Sequence, residues 1–135
     1  MEQMKLRVPV VVKAKVTEDL KTKLIADVQQ QLDLVNQDLQ QIEFQAKRLL
    51  TEQAKIDAQG LLQVRQQIEN NRSQRLQYKD ELEQRMKETQ ELEVGVEIVR
   101  GTMDQMIDVK VGDDLDSLMN AEILLEDGKI VAFRK

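Results

Sequence analysis

Apolar residues recur along this chain with two different periods. Between Leu6 and Val16 they alternate: Leu6, Val8, Val10, Val12, Ala14 and Val16 share one face, and Lys5, Arg7, Pro9, Val11, Lys13 and Lys15 share the other. That is the pattern of a strand with one buried face. Pro9 cannot donate to a ladder, so the strand is expected at an edge, or at least with one free side. From Ile25 the period changes. Ile25, Val28, Leu32, Val35, Leu39, Ile42, Ala46, Leu49, Gln53 and Ile56 follow at steps of three and four, a heptad seam. Thr17 is the expected N-cap, with Glu18 and Asp19 in the first turn, where carboxylates suit the positive end of the helix dipole. The helix should run from 18 to about 57.

One apolar seam cannot stand alone in water, and the next segment can cover it. Gly60 follows Asp57-Ala58-Gln59 and reads as a helix terminus, so a turn is expected near 58–60. In that register Ile56 meets Leu61, Leu49 meets Ile68 and Val35 meets Leu82. Asp38 comes near Lys79, Glu43 near Arg75 and Asp33 near Arg85. Asn71, Arg75, Arg85 and Thr89 then fall where seam residues belong, and the poor helix formers Asn70 to Ser73 allow a rival turn near 70–73. A third arrangement is one unbroken helix dimerising with its copy; the hairpin makes the two arms nearly equal and is preferred.

Past Leu92 alternation returns. Val94, Val96 and Ile98 share a face, Gly101 breaks the run, and Ile107, Val109 and Val111 resume it up to Gly112-Asp113. Residues 114–120 suggest a short helix capped by Asp113 or Asp114, with Leu115, Leu118 and Met119 inward. Asp127-Gly128 between two apolar runs predicts a type I' hairpin, with Leu125 opposite Ile130, Leu124 opposite Val131 and Ile123 opposite Ala132. Apolar pairs on both of its faces suggest cover on both sides. The expected fold is α+β: a long antiparallel coiled-coil helical hairpin projecting from a small antiparallel β-sheet or partial barrel formed by both chain ends. Residues 1–16 supply the first strand, 17–94 the hairpin and 95–135 the rest of the β part.

Composition narrows the chemistry. There is no Cys and no His among 135 residues, so disulfides, thiol chemistry, Cys or His zinc sites and His-dependent catalysis have no residues to use. The aromatics are only Phe44, Tyr78 and Phe133, too few for a surface that stacks bases. Net charge is -5, which argues against nonspecific nucleic-acid binding, although residues 1–16 are locally basic. No apolar run reaches a membrane span and no signal-peptide pattern opens the chain. A cytoplasmic protein with no cofactor and no small-molecule substrate is expected.

Three sets of residues could do more than hold the fold. Asp113, Asp114 and Asp116 could offer oxygen ligands to a hard cation, but capping accounts for them and they lack the spacing of a calcium loop, so no metal is expected. Arg65, Arg72 and Lys79 recur every seven residues, as charges flanking a seam do. Gly60, Leu61 and Leu62 at the expected tip form the candidate partner-binding site, because two adjacent leucines cannot both enter one narrow seam.

The tail Val109-Lys110-Val111-Gly112-Asp113-Asp114-Leu115-Asp116, followed by Ala121-Glu122-Ile123-Leu124-Leu125-Glu126-Asp127-Gly128-Lys129-Ile130-Val131, resembles the C-terminal signature of the YlqD family of bacterial proteins. The order of parts, a valine-rich strand, a Gln- and Glu-rich helical stretch and this tail, is similar too. The resemblance implies a small bacterial cytosolic protein of unknown function and brings no catalytic residues. The expectation is a non-enzymatic interaction or scaffold module with protein partners, itself a homo-oligomer with a dimer favoured. The alternatives are a prefoldin-like holdase and a translation-associated factor contacting ribosomal RNA through the basic first strand.

Overall fold

The computed structural model describes residues 2–56 and 58–135. They form an α+β structure whose strands make one four-stranded mixed sheet in the order β2-β1-β3-β4. Strand β1, Gln3–Lys15, pairs antiparallel with β2, Glu97–Lys110, along its whole length. On its other side β1 pairs in parallel with β3, Glu122–Glu126, over Val11 to Ala14, and β3 turns back into β4, Lys129–Arg134. The sheet is therefore not purely antiparallel. After β2 the chain passes through the turn at Gly112 and the short helix α3, Leu115–Leu118, before β3 begins on the far side of β1. That crossover makes β3 run alongside β1.

The alternation read in β1 governs its burial. Val8, Val10, Ala14 and the following Val16 are buried, while Lys5, Arg7 and Lys15 are exposed. β1 is central and not an edge, because β3 covers its second half. Pro9 is tolerated for a local reason. Val11 donates its N–H toward the β3 side, to the Ala121 carbonyl at 3.1 Å, so the nitrogen of Pro9, two residues earlier, faces that same side. Pairing with β3 has not yet begun there, and no ladder bond is lost.

Two bulges depart from the sequence expectations, one where Gly101 was expected to break the run and one in the terminal hairpin. β2 runs through Gly101 without a break: Val12 lies opposite Gly101 and Lys13 opposite Val99, leaving Arg100 as the extra residue. In the terminal hairpin Leu125 faces Ile130 but Leu124 faces Ala132 and Ile123 faces Phe133, so Val131 is the extra residue. The turn itself is as the dipeptide demands, with φ of 50° at Asp127 and 81° at Gly128. Cover on both faces of this hairpin does not occur: Ile130, Val131 and Phe133 are exposed. Leu115 and Met119 are exposed as well, since four residues of helix are too short to turn a continuous face inward.

Helix α1 spans Glu18–Ile56 and α2 spans Ala58–Gln90. Thr17 caps α1 by accepting the Leu20 N–H at 3.1 Å, and its hydroxyl donates to the Asp127 carboxylate at 2.6 Å. The helices pack antiparallel: Arg85 donates to Gln31, Arg72 pairs with Glu43 at 2.6 Å and Arg75 with Asp38 at 3.8 Å, α2 numbers rising as α1 numbers are matched in reverse. Their shared core is Val28, Leu32, Val35 and Leu82, with Met86 against it. Val35 and Leu82 share the core as expected, while Arg75 reaches Asp38 instead of Glu43, about one turn away, and Arg85 reaches Gln31 in place of Asp33. Ala58, Gln59 and Gly60 are helical and belong to α2, so the turn is not at 58–60; Asp57 lies outside the described residues. Asn70 to Ser73 are helical, which removes the rival turn.

Of the four polar residues expected in the seam, only Thr89 is buried, and its hydroxyl donates to the Arg85 carbonyl at 2.8 Å. The chain divides into two units, one holding the residues up to Thr22 together with Leu92–Lys135, the other Lys23–Glu91.

Candidate partner-binding surfaces

The clearest exposed apolar residues in the helical unit flank the helix break. Leu61 and Leu62 share the first turns of α2, and the helix rotation separates them: Leu61 is half-buried, Leu62 is 73% exposed. Ile56, expected to meet Leu61 in the seam, is instead 78% exposed, and Leu49 is exposed too. Gly60 is half-buried. The seam is apolar along most of α1, Gln53 excepted, and among the described residues it is buried at Val28, Leu32, Val35 and Ala46 on α1 and at Ile68 and Leu82 on α2. Ile56 was not singled out by the sequence. A seam residue at a helix end has too few facing neighbours to cover it, and that was the available signal.

The basic residues are largely engaged. Arg72 binds Glu43 and Glu69, and those bonds hold its guanidinium more firmly protonated than usual. Lys13 pairs with Glu122 at 2.8 Å, and Lys15 lies opposite Glu97. The first strand therefore offers less free positive charge than its sequence suggests. Asp113 accepts the Lys110 N–H at 2.9 Å to close the turn after β2, and Asp114 caps α3 by accepting the Asp116 N–H at 3.2 Å. Among the described residues no group of three or more carboxylates converges to hold a metal ion. None of the described helices is long and apolar enough to cross a membrane.

One charged cluster ties the sheet together. Arg134 at the end of β4 forks onto Glu97 at the start of β2, and reaches Glu122 at 3.3 Å. β2 and β4 are the two edges of the sheet. In a flat sheet three strand spacings would separate them by about 14 Å before any offset along the strands, too far for these side chains. The contact requires the sheet to coil, as strongly twisted and bulged sheets do. The Arg134 hydrogen bond, aided by its charge and those of Lys13 and Lys15, holds the Glu97 carboxyl below the usual glutamate range.

A lowered folded-state value means that ionised Glu97 favours the folded form. Its contribution is complete above the ordinary glutamate range and is lost as pH falls through the lowered value. Arg134→Gln is expected to return the Glu97 titration toward the ordinary range, as followed by NMR of the side-chain carboxyl. An unchanged titration would remove Arg134 as the cause.

The sheet also carries a groove that the sequence did not reveal. Val10, Met103, Ile123 and Phe133 line a cavity of about 590 Å³, with Asp104, Arg134 and Lys135 around it. A shallower groove on the helices holds Leu39, Phe44, Lys47 and Lys79.

A four-stranded mixed sheet and a pair of long antiparallel helices define a small α+β protein. The chain belongs to the YlqD family, whose model matches residues 4–134. Its fold is similar to that in the crystal structure of a protein of unknown function from Synechococcus sp. WH 8102, with a TM-score of 0.80 and 23% identity, covering 98% of this chain and 95% of that one. None of the curated proteins matches this chain.

Proposed function

We propose that this protein is a non-enzymatic interaction or scaffold module of the cytoplasm, in which strands from both chain ends form a small base and the antiparallel helices form a coiled-coil hairpin that offers its apolar end to a protein partner. The observation that carries the reading is the exposure of Ile56 and Leu62, 78% and 73%, on either side of the helix break. Two large aliphatic side chains held on helices lose little entropy on binding and gain roughly 1.5–3 kcal/mol each when fully covered. Gly60 and Leu61 complete the surface from α2.

Leu62→Ser is expected to leave stability within about 0.5 kcal/mol of the parent, as exposed substitutions usually do, and to abolish retention of a specific protein in co-purification. Circular dichroism and urea denaturation check the first part, and parallel affinity purification of parent, Leu62→Ser and Ile56→Ser checks the second. Identical sets of retained proteins from all three chains would end this reading. Suppression of aggregation of an unrelated denatured protein, lost in both variants, would shift it to the holdase alternative.

A further inference from the structure

We propose that the end of α1 and the start of α2 take an acidic, amphipathic segment of a protein partner, its apolar side chains on Ile56 and Leu62 and its carboxylates on Lys55 and Arg65. This rests on the interaction reading above and names the partner's chemistry at the same site. The basis is a local reversal of charge. The chain as a whole carries -5, yet residues 44–68 hold Lys47, Arg48, Lys55 and Arg65 against Glu52 and Asp57 alone, so an acidic protein is basic here. That charge is largely uncommitted. Arg48 pairs with Glu52 at 3.2 Å, but among the described residues no ion pair involves Lys47, Lys55 or Arg65. Further along α2, by contrast, Arg72 and Arg75 are both taken by carboxylates.

Each exposed aliphatic has a cation beside it. Lys55 and Ile56 are the last two residues of α1, both exposed. Leu62 and Arg65, also exposed, lie three apart on α2 and are neighbours on one helix face. A partner that sets an apolar side chain next to a carboxylate matches both features at once: covering the apolar part excludes water, and the ion pair at its rim selects the sign of the partner's charge. One face of an amphipathic helix carries that combination. Other anionic partners match less well. Single-stranded nucleic acid is held by stacking on aromatic side chains, and Phe44 is the one aromatic in residues 44–68. An anionic bilayer is held by clusters of about four to eight Lys or Arg, whereas Glu52 and Asp57 interrupt the cations here.

The test titrates the full chain into two synthetic helical peptides of about 18 residues, five turns, followed by fluorescence anisotropy. Both carry the same leucine stripe; the polar face is glutamate in one and lysine in the other. Co-sedimentation with phosphatidylglycerol vesicles runs in parallel. The glutamate peptide is expected to bind at least about tenfold more tightly than the lysine peptide. That preference should shrink as salt rises from about 0.1 M to about 1 M and the screening length falls from about 10 Å to about 3 Å. Lys55→Glu combined with Arg65→Glu should reverse the preference without changing the circular dichroism, while Leu62→Ser weakens both peptides alike. Equal binding of the two peptides, a preference that the charge variant leaves intact, no binding of the glutamate peptide, or binding to the vesicles in its place each overturns the inference. The proposed function is read separately, from the proteins retained in co-purification. A partner lost with Leu62→Ser but kept by the charge variant removes this inference and leaves that function standing.

Discussion

Leu82→Ala is expected to destabilise the helical unit by about 3 kcal/mol, the middle of the range for a fully buried leucine whose cavity collapses only in part. Leu82 has no exposed surface and sits among Val28, Leu32 and Val35. The size of the effect follows from how narrow this core is. Two helices in contact share a single seam, and α2 contributes few large apolar residues to it: Ile68 and Leu82 are its buried apolar positions among the described residues, with Met86 packed against the Leu82 cluster. Removing one of them leaves α2 with a polar sequence and little to hold it helical, since most helix stability comes from packing of an apolar face. Leu76→Ala, at an exposed position in the same helix, should cost less than about 1 kcal/mol. Urea denaturation compares the two, and hydrogen exchange should show the Leu82 variant opening within Lys23–Glu91. Equal losses from both variants would mean that the seam does not carry the unit.

The local chemistry of the chain was legible because it depends on neighbours in sequence. Thr17 before Glu18-Asp19 reads as a cap, and its hydroxyl takes the Leu20 N–H. Asp127-Gly128 reads as a tight turn because both residues must accept positive φ. The face of β1 follows from alternation alone. What failed was the information that only partners supply. Pro9 reports on the side its own nitrogen faces and says nothing of residues 11–14, where β3 lies alongside; the central position of β1 was therefore hidden. Glycine inside a strand is ambiguous between a stop and a bulge, and Gly101 sits beside the bulged Arg100 in an unbroken strand. Gly60 misled in a similar way. Glycine ends helices often, but within the first turn of α2 it is tolerated, and Arg75 meets Asp38 in place of the expected Glu43.

For the candidate surfaces the same division holds. Adjacent leucines at 61 and 62 had to diverge on a helix, so exposure of one of them was readable. The exposure of Ile56 was not, because a heptad pattern records which residues could face a partner and not whether the facing residue arrives. Phe133 lay in an apolar alternation on both faces of β4, and alternation does not say which face stays open. The bulge at Val131 then shifted Phe133 from its expected place to one opposite Ile123, on the floor side of the groove.

Val16→Asp is the substitution expected to unfold the β unit. Val16 has no exposed surface. Its N–H donates to the Val96 carbonyl at 2.8 Å and its carbonyl accepts the Gly95 N–H at 2.8 Å, so the backbone cannot turn aside to bring a new polar side chain to water. The methyl groups alone are worth about 2 kcal/mol of burial, and an ionised carboxylate in their place costs several more unless it becomes protonated. Burial raises the folded-state pKa of such a carboxyl, so the penalty is full above that raised value and is relieved as pH falls through it toward the ordinary aspartate range. Val16→Asn, of similar size and never charged, has no such relief. Measured against the parent at each pH, the Asp variant should regain stability on acidification while the Asn variant should not. If both variants track the parent in parallel from neutral to acid pH, the loss comes from lost packing and not from a buried charge, and residue 16 has more access to water than its position between β1 and α1 allows.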